Sequence, residues 1–522
     1  MCLSREVVGP QTASVSDILV KFGRYQILQY TLVSLPILFL SIINVNYIFV
    51  AGDVKYRCRI SECDSSNATY SVPWFPNNID PCTKPIINHT YLTSGICTNS
   101  SFTGAVEKCT DWIYENHDTI IPELNLACKP WKKNLVGLVH SAGMALAMLI
   151  GGVMADHLGR KNTLIICGLG CFIGNFKTLA SNYNLYIFIE FLEAVISGGV
   201  YTSGAVLMVE IAGLNKRVLA GVLFSYSIYS GEAIFALVGM VVPYWKTLIY
   251  IICSPPIIFL SYFLVVNESP RWLILKGKND QAKEVLKSMA KSNKINIDFE
   301  DLYNMDEEKL KSMFNLGGPV KKQTLIEAFK SREIAIRFLV AAYCRFACSF
   351  VYYGLLINSV VLPGDKYTNF FLAAMMSFPG ELISMFLMNK IGRKLPLIFG
   401  FLLGGISCIV SGYATQTWLK IFLFLLGKLV ASSCYTGVVT YTVELFPTSV
   451  RGSLIGLCAL ASAFGNMLSP LTPALSPATA SIFFGCAAFL ASCLLCLTPE
   501  TKDTPLLDTI EQIDNKKQRS DK

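Results

Sequence analysis

The chain has 522 residues, 53% of them hydrophobic and only 15% charged, with a mean hydropathy of +0.48. A soluble domain carries roughly 25% charged residues, so the chain falls outside that class. The net charge of +8 is what the basic cytoplasmic loops of a membrane protein supply, and it calls for no nucleic-acid partner.

The apolar residues fall in runs long enough to cross a bilayer at ~1.5 Å rise per residue. The first run covers about 22–50 and is expected to act as a signal anchor, because no cleavable signal peptide precedes it. A polar region follows at 51–133, with Cys58, Cys63, Cys82, Cys97, Cys109 and Cys128 and the sequons at Asn67, Asn88 and Asn99. Six cysteines in an oxidising compartment predict three disulfides, with fifteen pairings open. Five more runs cover about 134–155, 163–181, 185–208, 218–241 and 245–266. The charged segment 272–335 predicts short surface helices, with a cap signal at Asn279 and Asp280. Six further runs cover about 336–361, 368–389, 395–415, 418–440, 453–474 and 478–497, before a polar tail over 501–522. The expected fold is an all-α polytopic membrane protein of twelve spans, with a large extracellular loop after the first.

Cations sort by loop. Arg5, Lys21 and Arg24 precede span 1, and alternate loops carry Arg160 and Lys161, Lys216 and Arg217, the Lys-rich 272–335 segment, Lys390, Arg393 and Lys394, and Arg451. Excess Lys and Arg marks the cytoplasmic side, so both termini are expected inside and 51–133 outside. The sequon at Asn267 falls inside and is expected to stay bare. The remaining cysteines are expected to act as small packing residues.

The stretch GGVMADHLGRK (151–161) returns as SMFLMNKIGRK (384–394), with Gly159 and Gly392 at an offset of 233. Glu210 and Arg217 return as Glu444 and Arg451 at an offset of 234, and Glu268 returns as Glu500 at 232. Three motifs in one order at one offset predict two parallel six-span halves, 1–271 and 336–500, joined by 272–335. Asp156, Arg160, Glu210, Arg217, Glu268, Arg271, Arg393, Glu444, Arg451 and Glu500 then form a candidate gate of ion pairs, within a half or across the two, that break as the halves rock.

These residues resemble the major facilitator superfamily and, more narrowly, its organic cation, anion and zwitterion transporters. FGRYQ (22–26), the Cys109–Cys128 stretch, ESPRWL (268–273), VYYGL (351–355), GDKYTNFFL (364–372), ELFPTSVRG (444–452) and PETK (499–502) carry the resemblance. It implies two six-helix bundles around a central cavity, and transport of amphipathic organic ions across the plasma membrane. The chain departs from the family where Asp-Arg in each knot is replaced by Asp156-His157 and Asn389-Lys390. It departs again on span 4, where Glu190 stands for an Arg; Lys177 is a candidate to restore the charge balance there.

Ionisable groups inside spans default to a functional reading. Glu232 on span 5 is either neutral or holds a cation. Arg345 on span 7 and Glu381 on span 8 lie at similar depth, ~12–13 Å at the helical rise, and are expected to pair, as a packing bridge or as a site exposed in one state. By the resemblance, Glu381 matches a family carboxylate, and Tyr201, Tyr352 and its neighbour Tyr353 line the cavity with Asn44 and Thr436. The family's charge-selecting position on span 11 is Ala463, which selects nothing. Aromatic faces suit organic cations at ~0.5–2 kcal/mol each. The glycines of GLGCFIGNFK (168–177) follow no strand and suit helix packing. No Walker motif, metal-ligand spacing or nucleophile triad is present, so no cofactor, metal or enzyme activity is expected. The function read from the sequence is secondary-active or facilitative transport of a small organic ion, cation or zwitterion favoured. A non-transporting receptor or scaffold on the same fold is the alternative.

Overall fold

In the computed structural model, described for residues 22–65, 67–76, 79–88, 97–98, 101–211, 217–297, 299–314, 325–447 and 449–502, twelve helices among the described residues are long and apolar enough to cross a membrane. Spans 1 to 6 are Arg24–Val50, Pro130–Leu158, Arg160–Leu179, Tyr183–Ile211, Leu219–Val241 and Trp245–Val265. Spans 7 to 12 are Arg332–Val361, Lys366–Lys390, Lys394–Tyr413, Thr417–Leu445, Arg451–Ala474 and Pro477–Leu495. All twelve apolar runs of the sequence return as helices. Span 2 outruns its apolar segment at both ends. Pro130 supplies a preset first turn, and the charged knot stays helical until Gly159, whose φ of +102° ends it.

Polar side chains start several spans by accepting an orphan backbone N–H. Asn182 caps span 4, Ser331 span 7, Asp365 span 8 and Ser476 span 12. Prolines break others. Span 8 is interrupted at Met376, between Lys366–Met375 and Ser377–Lys390, because Pro379 has no N–H to donate one turn back. This break sets the rotation of the second segment, which carries Ser377 and Glu381.

Apolar burial forms two clusters. One is built mainly from spans 1–6 and the surface helices, the other from spans 7–12. Leu356, Ile357, Phe370 and Ala373 of spans 7 and 8 belong to the first cluster, so the halves meet at the end that carries the Cys-rich region. There Phe49 of span 1 stacks on Phe235 at 4.7 Å and meets Tyr367 and Phe370 of span 8 edge-on at 4.8 and 5.2 Å. Gly137 of span 2 admits both Tyr47 and Pro470 of span 11; a Cβ at that position would stand 2.6 Å from each.

In the Cys-rich region three disulfides join Cys58 to Cys109, Cys63 to Cys97 and Cys82 to Cys128. Strand Tyr56–Cys58 pairs antiparallel with Trp112–Tyr114, and Thr83–Ile87 with Phe102–Lys108. A buried Arg57–Asp64 fork, at 2.6 and 2.8 Å, ties the first bridge to its loop. Asn67 is exposed and Asn88 half-buried; Asn99 lies outside the described residues.

The segment between the halves forms helices Asn279–Ser292, Phe299–Tyr303, Glu307–Met313 and Leu325–Lys330. The first starts beside the expected cap but not on it: Lys278 is the N-cap, with no side-chain hydrogen bond, and Asn279 and Asp280 lie in the first turn. Beyond it Asn293 accepts from the Tyr25 amide at 3.0 Å and donates to Gln26 at 2.9 Å, docking this layer on the start of span 1.

Candidate functional site

The repeated motifs fold into two equivalent cradles. In the first half Arg160 meets Asp156 at 3.2 Å and Glu210 at 3.3 Å, and its guanidinium donates to the Ala155 carbonyl. Glu268 accepts from the backbone amides of Arg160 and Lys161 at 3.0 and 3.1 Å. In the second half Arg393 meets Glu444 at 3.2 Å and donates to the Met388 carbonyl, while Glu500 accepts from the amides of Arg393 and Lys394 at 2.9 and 3.0 Å. Lys161 and Lys394 each donate to a carbonyl at the end of the sixth span of their half, Phe263 and Cys496. A β-carbon on Gly159 or Gly392 would run into the carboxylate of Glu268 or Glu500. Glycine is therefore required twice for one reason, close approach of a carboxylate to a helix start.

These pairs close within each half. Asn389, which stands where Asp156 stands in the first half, leaves Arg393 with one carboxylate where Arg160 has two. Burial pushes the Glu268 carboxyl above its ordinary value despite its amide donors. Burial acts the same way on Glu500, but four backbone amides outweigh it and hold that carboxyl below its ordinary value. Arg451 turns back to the Phe446 carbonyl at 3.0 Å. Arg271 has no ion-pair partner among the described residues, and the side chain of Arg217 lies outside them.

Midway along the spans a second group of polar residues joins the halves. Tyr229 and Glu232 lie one turn apart on span 5 and so share a face. The Tyr352 hydroxyl, from span 7, donates to Glu232 at 3.2 Å and lies 3.3 Å from the Ser377 hydroxyl. The Tyr229 hydroxyl donates to Glu381 of span 8 at 3.0 Å, and Thr436 of span 10 donates to the same oxygen at 2.5 Å. Each half thus holds its carboxylate against a tyrosine of the other. Lys428 of span 10, wholly buried, sets its ammonium 3.1 Å from the centre of the Tyr352 ring and donates to the Tyr352 carbonyl at 3.3 Å. Tyr353 and Tyr435 complete the aromatic wall at 5.1 and 5.5 Å from Tyr352.

Glu232, Tyr352, Tyr353, Glu381 and Thr436 therefore come together as the sequence proposed. Tyr201 packs edge-on against Phe224 at 6.1 Å. Asn44 is buried at the end of the long helix of span 1. Ala463 is buried beside Ser462, which hydrogen-bonds Ser349 of span 7. The expected Arg345–Glu381 pair does not form. Arg345 lies 5.9 Å from the centre of the Tyr435 ring, and Glu381 is taken by the hydroxyls of Tyr229 and Thr436. Equal depth fixes height along two helices but not rotation about them. Lys428 and Tyr229 were missed; a lone lysine inside the run 418–440 was the available signal.

A third polar group lies wholly inside the first half. Lys177 meets Glu190 at 3.1 Å and Glu193 at 2.5 Å, and His140 of span 2 meets Glu190 through Nδ1 at 2.8 Å. Lys177 thus fills the role proposed for it beside Glu190. Gly174 makes room, since a β-carbon there would collide with Glu193.

Two six-span bundles, matched motif cradles and a polar cluster between them define a membrane transporter rather than an enzyme. A profile of the sugar (and other) transporter family matches residues 93–513. Solute carrier family 22 member 15-like of Xenopus laevis is 31% identical over 422 residues, covering 77% of this chain and 84% of that protein. Solute carrier family 22 member 3 of Mus musculus is 25% identical over 534 residues, covering 95% and 94%. The organic cation transporter protein of Drosophila melanogaster is 27% identical over 517 residues, covering 95% and 93%. The inward open conformation of the xylose transporter XylE from E. coli shares the fold, with a TM-score of 0.56 at 17% identity over 77% of this chain and 92% of that one. The chain belongs to the sugar (and other) transporter family and, within it, to solute carrier family 22.

Proposed function

We propose that the protein carries small organic ions, cations or zwitterions in preference to anions, across the plasma membrane by alternating access. The halves are 1–271 and 336–500, 272–335 is a cytoplasmic layer, both termini are cytoplasmic, and 51–133 faces outside. The reading is carried by the crossed tyrosine–carboxylate contacts between the halves, Tyr352 to Glu232 and Tyr229 to Glu381. A cation entering between the halves competes for both carboxylates, and the tyrosine rings supply its cation–π walls. The motif cradles brace each half as it rocks. The similarity to the organic cation transporter protein of Drosophila melanogaster supports the cationic class over a receptor or scaffold.

Uptake of labelled tetraethylammonium, carnitine and p-aminohippurate by cells expressing the protein tests the reading. The first or second should accumulate; accumulation of the anion alone would reverse it. Tyr352→Phe removes a hydrogen bond to a charged group, worth roughly 1.5–3 kcal/mol. Because that hydroxyl competes with the cation for Glu232 while the ring is kept, the cation concentration giving half-maximal uptake should fall by about an order of magnitude. The sidedness is tested separately. Digestion with peptide N-glycanase should lower the apparent mass of wild type, and Asn67→Gln with Asn88→Gln should remove part of that shift. Glycan found at Asn267 would invert the topology.

A further inference from the structure

We propose that His140, Lys177, Glu190 and Glu193 form a proton-binding site in the first half, holding one exchangeable proton beyond that of the lysine. All four side chains are wholly buried. The Lys177 ammonium lies between the two carboxylates and contacts both. With a neutral imidazole the group holds one positive and two negative charges. An unbalanced charge without contact to water is costly, and one proton on His140 or on a carboxylate cancels it.

Among the described residues, no other Lys or Arg is paired with this group. Tyr47 faces the group from span 1, Cys171 from span 3, Tyr186 from span 4 and Cys253 from span 6. The Cys253 thiol donates to Glu193 at 3.6 Å. Neutral hydroxyls and thiols orient a proton but do not replace its charge.

His140 gives the second observation. Its Nδ1 is committed to Glu190, while Nε2, equally buried, has no partner among the described residues. A buried ring nitrogen without a partner is uncommon, and this one suits receipt of a proton. The ring lies 5.7 Å from that of Tyr47. Tyr47 in turn borders a narrow cleft with Asn134, Gly137, Ile357 and Pro470, where the two halves meet. A proton would enter when the halves part at this cleft, which would link the site to the transport cycle.

The test needs no identified substrate. A folded protein that binds one proton more than its unfolded chain loses stability as pH rises. Purified full-length protein should show a melting temperature that is level at low pH, where the unfolded chain holds the proton as well, and that falls by several degrees as pH rises beyond the point where the unfolded chain releases it. Glu193→Gln and, separately, Glu190→Gln leave Lys177 opposite one carboxylate, so no extra proton is required. Both variants should fold and show a flatter profile. A flat wild-type profile, or variants whose profiles run parallel to wild type, would overturn the proposal. So would failure of both variants to fold, because each removes the unbalanced charge.

Discussion

Lys177→Met should leave little folded protein. The lysine is the one ammonium opposite Glu190 and Glu193, and none of the three side chains reaches solvent. Removing one member of a buried ion pair costs about 3–5 kcal/mol, because the partner charge stays buried without compensation. Here two carboxylates would be stranded. Against a total stability of about 5–15 kcal/mol, that loss removes most of the margin. Fluorescence-detected size-exclusion chromatography should show aggregate in place of a monodisperse peak. Combining Lys177→Met with Glu190→Gln and Glu193→Leu removes the charges together, and replacement of a whole buried ionic group by neutral residues of similar volume is often tolerated. The triple variant should regain much of the peak. A single variant as well behaved as wild type would show that the group contributes nothing to folding.

The fold was legible because hydrophobic run length is nearly a direct readout of membrane spans. The two cradles were legible for a different reason. Each uses glycine with positive φ, a carboxylate on backbone amides and an arginine–glutamate pair, so the same residue types recur at one chain offset. Whether those pairs close within a half or across halves was not legible, because spacing along the chain carries no information about which bundle a side chain faces. The Arg345–Glu381 expectation failed at the same point. Past the Pro379 break, span 8 is rotated so that Glu381 meets Tyr229 and Thr436, and run length and spacing do not encode that rotation. The cysteine pairing was open for want of any distance. Lys177 could be proposed beside Glu190 because a second charge in the same apolar layer had few places to go; the second carboxylate, Glu193, lay one turn along the same helix and was passed over.

Glu232 and Lys428 should be coupled in stability, whereas transport should depend on Glu232 itself. They do not touch. Tyr352 stands between them, with its hydroxyl on the Glu232 carboxylate and the Lys428 ammonium against its ring. Both charged side chains are nearly or wholly buried, and each lies within the electrostatic reach of the other. Glu232→Gln leaves the ammonium unbalanced, and Lys428→Met leaves the carboxylate so. Each single change should cost about 3–5 kcal/mol, read as a lower melting temperature of the purified protein. The double variant removes both charges, and its melting temperature should lie well above that predicted from the sum of the single losses, as expected for sites sharing a partner. Uptake of tetraethylammonium should not recover with it, because the carboxylate that a cation would meet at the junction of the halves is gone. Additive losses in stability would show that Tyr352 does not couple the two charges. Full uptake by the stable double variant would remove Glu232 from the substrate path and leave Glu381, held by Tyr229 and Thr436, as the carboxylate to test.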